Sequence, residues 1–268
     1  MKKDRSSPQF RLLPIVLILS GLSLVLFATL PRLIDFLHYK QMQSLYNNLT
    51  SHPTLAAHVS SSPSSTSWDT PLPTPSLTPT SEILEQYAPL LKINPEVVGW
   101  ITIDNTPINY PLMQHNDNEY YLSHDPSNTS SMYGSIYIDY RNHPSMQNQN
   151  TLIYGHNMND GSMFHELLNF KDETFFTSHP YLYISNLYER FTYEVFSVYV
   201  VDADVESIAP SFPSDEAFLS YLNICMARSL YPSNISFNPT DEIVTLVTCS
   251  YELPNARTIV QAHRVTDY

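Results

Sequence analysis

The chain has 268 residues, two cysteines and a formal net charge of −13 at neutral pH, with 26 acidic side chains against 13 basic ones. After Lys40 only seven Lys and Arg remain, which argues against a basic face for nucleic acid and against a polybasic clamp on anionic lipid. Past its N-terminal segments the chain is long enough for one ordinary domain with a substantial core.

Residues 12–31 hold no charged side chain and are dominated by Leu, Ile, Val, Phe and Ala. A bilayer core needs about 20 apolar residues as helix, so this stretch can just span it. Lys2, Lys3, Arg5 and Arg11 precede it, which keeps residues 1–11 as a cytoplasmic tail and puts the rest outside. The competing reading is a cleavable signal peptide. Its apolar region would be about 7–15 residues long and would end at an A-x-A-like site. Here the stretch is longer, and Ala28-Thr29-Leu30 fits such a site poorly. Charge on both flanks disfavours a buried core helix. The expectation is an uncleaved single-pass anchor over 12–31. Leu33, Ile34, Leu37, Leu45 and Leu49 then recur at helical spacing, giving a juxtamembrane helix over 32–50. Residues 51–80 form a linker, almost entirely Ser, Thr and Pro from residue 60 onward. Such a segment buries too little apolar surface to offset its ordering entropy.

The head, residues 81–268, opens with Ser81 as an N-cap ahead of Glu82, with Ile83, Leu84, Tyr87, Leu90 and Leu91 on one helical face. After Pro95 the pattern changes to short β-branched and aromatic runs. Strands are predicted at 98–103, 108–113, 135–139, 151–154, 181–185, 190–201, 242–248 and 258–263. Two helices interrupt them. One, at 163–170, groups Met163, Phe164, Leu167 and Leu168. The other, at 215–230, groups Phe218, Tyr221, Leu222 and Cys225, with Ser214 as cap and acids in its first turn. Many strands with few helices indicate a mainly β fold, a closed or nearly closed mixed barrel that leaves no exposed sheet edge. Cys225, on the apolar face of its helix, reads as a small buried hydrophobe.

Cys249 ends a β-branched run, where a strand opens into a loop. In an exported chain two cysteines are commonly one disulfide, so a Cys225–Cys249 staple stands as an alternative. The next strand begins right after Arg257, so two adjacent strands would carry Cys249 and Arg257 side by side. A guanidinium there favours thiolate and can bind a developing oxyanion. A general base or acid is also required. Of ten histidines, His38, His52 and His58 precede the head, and His115, His124, His143 and His179 lie among turn residues. His165 is helical and His263 alternates along the last strand. His156 differs, because Leu152-Ile153-Tyr154 runs straight into Gly155-His156-Asn157. It too is delivered by a strand end, with a glycine to turn the backbone. No His, Cys or carboxylate set has metal-ligand spacing, so neither a metal nor a cofactor is implied.

"TLIYGHNMNDGSMFHELLNFKDETFF", "TLVTCSYE" and "ARTIVQAHRV" together resemble the sortases, cysteine transpeptidases of Gram-positive cell surfaces. "INPEVVGWITIDNTPINYPLMQ", "NEYYLSHD" and "GSIYIDYRN" also match, and the class B branch fits best. The resemblance covers nearly all of residues 81–268. It implies an eight-stranded sortase-type β-barrel with N-terminal helices and a helix between strands six and seven. Carried over residue by residue, it implies a catalytic triad of His156, Cys249 and Arg257. Tyr133, Asn157 and Ser250 are candidate substrate contacts. One departure is Val247, where class B members often carry Ser two residues before the cysteine.

The implied reaction has two steps. Cys249 attacks a backbone carbonyl after Thr in the C-terminal sorting motif of another secreted protein. Arg257 stabilises the oxyanion, and His156 as imidazolium protonates the departing amine. An amine of peptidoglycan precursor, or of a pilin, then attacks the thioester. The expected partners are therefore sorting-motif proteins, that amine donor and the membrane through the N-terminal helix, and not nucleic acid. The expected location is the cell membrane, with the catalytic domain extracellular. A pilin-polymerising sortase, a hydrolase that releases proteins, and an inactive tethered surface-binding domain are the alternatives.

Overall fold

The computed structural model describes residues 9–50, 82–203, 208–252 and 254–265. The chain divides into two units, residues 1–45 and 46–268. The first is carried by α1 (Gln9–Thr50), an unbroken helix of 42 residues. Within it, Ser20–Leu49 is long and apolar enough to cross a membrane, its most apolar 18 residues reaching a mean hydropathy of 1.5. Where the sequence suggests an anchor to Pro31 and a separate helix after it, the helix runs through. A single proline forfeits one backbone hydrogen bond and kinks a helix more readily than it ends one when leucines flank it. The linker expected at 51–80, and the cap expected at Ser81, lie outside the described residues.

The second unit is a closed barrel of eight strands: β1 (Val97–Thr102), β2 (Asn109–Met113), β3 (Ile136–Ile138), β4 (Asn150–Tyr154), β5 (Tyr181–Asn186), β6 (Arg190–Asp202), β7 (Ile243–Cys249) and β8 (Ala256–Val265). Around the barrel they run β1-β2-β3-β4-β7-β8-β6-β5, and β5 pairs back with β1. The pairs β2/β3 and β4/β7 are parallel. The other six pairings are antiparallel. Each expected strand is present, with ends shifted by a residue or two. Closure pairs the backbone groups of every strand on both sides.

The helices differ more from expectation. At the head's start a 3₁₀ turn, Glu85–Tyr87, leads into the short α2 (Ala88–Ile93) with proline in its first turn, where the missing N–H costs nothing. Only Tyr87 and Leu90 of that face are buried, while Ile83 is exposed. The helix expected at 163–170 is a 3₁₀ segment, His165–Lys171, followed by α3 (Glu173–Ser178). Its buried residues Leu167 and Phe170 are three apart, a spacing that aligns side chains on a 3₁₀ helix. Asp172 then caps α3 by accepting from Phe175 N at 3.0 Å.

α4 (Asp215–Arg228) starts where expected, with the Ser214 hydroxyl accepting from Ala217 N at 3.2 Å. It ends at Arg228, two residues short of the expected Leu230, with the Ser229 N–H donating to Cys225 O. Phe218, Leu222 and Cys225 of α4 share one buried cluster with Phe196 of β6, Ile243 and Val247 of β7 and Ile259 of β8. α4 therefore buttresses the part of the barrel that ends at Cys249. Cys225 is 1% exposed, and neither cysteine is disulfide-bonded, so the disulfide alternative falls away.

Candidate active site

Strand register assembles the site. β4 and β7 run parallel with Asn150 opposite Ile243 and Tyr154 opposite Val247. Two more steps along each strand bring His156 level with Cys249. The ladder does continue past the strand end, because Gly155 N donates to Val247 O at 3.2 Å and Thr248 Oγ1 donates to Gly155 O at 2.8 Å. On the other side, β8 runs antiparallel to β7 and places Arg257 opposite Cys249. The three residues expected to act together thus come from three adjacent strand ends, with Cys249 in the middle.

Each flank is held in place. Asn157 Nδ2 donates to Cys249 O at 3.0 Å, and its Oδ1 accepts from His165 Nδ1 at 2.7 Å. His156 Nε2 donates to Leu122 O at 2.7 Å, so that nitrogen carries a proton and the ring plane is fixed. Leu122 ends a 3₁₀ turn, Tyr120–Leu122. Tyr121 ties this turn to the start of the barrel: its OH donates to Glu96 Oε2 at 2.6 Å and accepts from Asn94 Nδ2 at 2.9 Å. Tyr120 is stacked between the rings of His124 and His115, at centroid distances of 4.0 and 4.4 Å.

Gly155 is needed here for space rather than for a left-handed turn. A Cβ at this position would come within 2.4 Å of Ile136 Cδ1 and 2.8 Å of the Phe164 ring. The chain must pass that close to bring His156 beside β7.

Arg257 is half-buried, and its Nη1 donates to Ala256 O at 3.0 Å and to Asn255 O at 3.3 Å. Among the described residues no carboxylate accepts from it, so its charge is available to a ligand. Tyr137 of β3 reports how concentrated the charges are. Burial pushes its phenol above the ordinary value, Asp139 and Cys249 push it the same way, and Arg257 opposes them.

Next to Arg257 lies a cavity of about 230 Å³, lined among others by Arg141, Tyr154, Val201, Ile208 and Val247. Val247, standing where serine is frequent, gives this cavity an apolar wall and packs into the α4 cluster. The remaining expected contacts are dispersed. Tyr133 is buried, and its OH donates to Asp160 Oδ2 at 3.1 Å in the turn after His156. Ser250 is buried at the start of the β7–β8 loop, its N–H bonded to Ala256 O at 3.0 Å. Sequence reasoning passed over Leu122, Tyr137 and Arg141. Arg141 did carry a signal: it is the only cation between Lys92 and Lys171, two residues from Asp139.

The sortase domain family matches residues 101–265. Sortase B of Listeria monocytogenes is 38% identical over 187 residues, covering 69% of this chain and 76% of that protein. The structure of sortase B from Bacillus anthracis superposes with a TM-score of 0.72 at 36% identity, covering 88% of this chain and 100% of the other. A Staphylococcus aureus sortase B–substrate complex gives 0.70 at 26% identity over 88% and 98% of the two chains. The fold, the sequence relatives and a lone thiol between two such neighbours agree: the chain belongs to the sortase family and is a cysteine transpeptidase of class B.

Proposed function

We propose that this sortase cleaves a C-terminal sorting motif of secreted proteins after Thr and joins the acyl group to a peptidoglycan amine, from a position tethered to the outer face of the membrane by α1. The observation that carries the chemistry is the register of Cys249 between His156 and Arg257. The Cys249 thiolate attacks the scissile carbonyl, and the carbonyl π electrons move to oxygen. The uncommitted charge of Arg257 stabilises that oxyanion. The C–N bond then breaks, and His156 as imidazolium gives its proton to the departing amine, leaving a thioester on Cys249. An incoming amine attacks the thioester, His156 takes the proton from that amine, and the thiolate is released.

A class B relative, the S. aureus enzyme, is known as a substrate complex, which supports substrate binding by the same fold here. Tethering raises the effective concentration of the enzyme near membrane-held substrates. The test incubates the full chain in detergent, and its Cys249→Ala variant, with a pool of sorting-motif peptides and an amine acceptor, and reads masses. A Cys249-dependent acyl-enzyme and an amine-joined product are expected. Products of water attack alone, with acceptor in excess, would replace this reading with a releasing protease.

A further inference from the structure

Asp139 is fully buried and accepts five hydrogen bonds: from Arg141 Nε (2.8 Å), Arg141 Nη2 (2.7 Å), Arg141 N (2.9 Å), Asn118 Nδ2 (3.0 Å) and Tyr154 OH (3.0 Å). Burial pushes its carboxyl up, but the Arg141 fork and the other donors outweigh burial and hold it below the ordinary value. Asp139 therefore stays ionised and fixes the Arg141 guanidinium edge-on. Arg141 Nη2 also reaches Ile208 O, at 3.3 Å, on the segment after β6. Nε and Nη2 are thereby committed. Nη1, with two N–H donors, has no protein partner among the described residues, and Arg141 lines the cavity it shares with Arg257.

We infer that Arg141 is a substrate-binding residue of this enzyme, its Nη1 donating to a carbonyl oxygen of the sorting peptide, a backbone carbonyl or a side-chain amide, lodged in the cavity beside Arg257. This rests on the transpeptidase reading above and extends it. The guanidinium is pre-oriented by Asp139, so binding immobilises no further long side chain. Val201, Ile208, Val247 and Ile259 also line the cavity and offer apolar contact, while the Tyr154 hydroxyl is committed to Asp139. Arg141 does not touch the reacting bond. Its contribution is to binding and leaves the step at Cys249 alone.

The test uses Arg141→Lys, which keeps a cation for the buried Asp139, and the paired Asp139→Asn/Arg141→Met variant, which removes both charges together. Each is assayed as the full chain in detergent with the peptide that wild type processes, and Cys249 is alkylated with iodoacetamide as an independent readout of thiol reactivity. The expected result is a KM raised about ten- to a hundredfold, with kcat within about threefold and an unchanged alkylation rate. An unchanged KM in both folded variants overturns the inference, as does a loss in kcat accompanied by slower alkylation. Wild-type silence towards every peptide removes the transpeptidase reading and this inference with it, whereas wild-type turnover with indifferent variants removes only the inference.

Discussion

His156 is fixed from two directions, by the Leu122 carbonyl in front and by a packed glycine behind. Replacing it with Asn should lower kcat/KM by about 10²–10⁴, the span general acid–base catalysis commands. Arg257→Met should lower it by about 10²–10³, the cost of losing one oxyanion donor. Steady-state kinetics on variants with native circular dichroism checks both, and near wild-type turnover in either would remove that residue from the mechanism. Gly155→Ala forces a methyl into the Ile136 and Phe164 side chains, an overpacking of about 1–3 kcal/mol. Urea unfolding should show that loss, together with reduced activity because the His156 segment must move. The importance of Gly155 was legible in its position ahead of His156, but the reason was not: the neighbouring atoms come from β3 and from the turn after the histidine.

The β7–β8 loop separates Cys249 from Arg257, and its Glu252 pairs with Lys171 at the end of the 3₁₀ segment. Tyr231, just past α4, donates in turn to the Lys171 carbonyl, so the 3₁₀ segment and the chain past α4 together brace the loop. Burial pushes the Glu252 carboxyl up, but the bond to Lys171 outweighs it and brings the group down to about 2. A carboxyl depressed on folding contributes stability above its unfolded value, about 4.3, and that contribution is lost as pH falls through the folded value. The stability difference between wild type and Glu252→Gln should therefore be constant above about pH 5 and vanish towards pH 2. Urea midpoints across that range measure it, and a difference that persisted at pH 2 would place its origin elsewhere. α4 was readable to within two residues because its cap and its apolar spacing are local. The 3₁₀ segment was read as α-helix because one turn of apolar residues fits both periods, and only packing separates them.

At the scale of the molecule, an acidic catalytic unit follows a long apolar helix, and the membrane attachment proposed above rests on that helix alone. The full chain should co-float with neutral phospholipid vesicles at any ionic strength, whereas residues 82–268 should stay in the dense fraction. Release of the full chain by salt would indicate a surface electrostatic contact instead of insertion. The barrel supplies what no segment could: Cys249 and Arg257 share one hairpin, but His156 joins them because β4 and β7 are neighbours in the ring although distant in the chain.

By itself the sequence determined the strands and the family, and it marked candidate reacting groups. Short β-branched and aromatic runs marked eight strands, and a cysteine, a histidine and an arginine at strand ends, inside motifs similar to those of sortases, are the groups proposed to react. These are local patterns, set by side-chain period and by what each residue type can do. Only the tertiary structure decided the parallel pairing that puts His156 level with Cys249, the carbonyl that orients the imidazole, and the cavity into which Arg141 and Val247 face. Hydrogen-bond register and close packing join residues far apart along the chain, and no single stretch of sequence encodes a contact whose other half lies elsewhere.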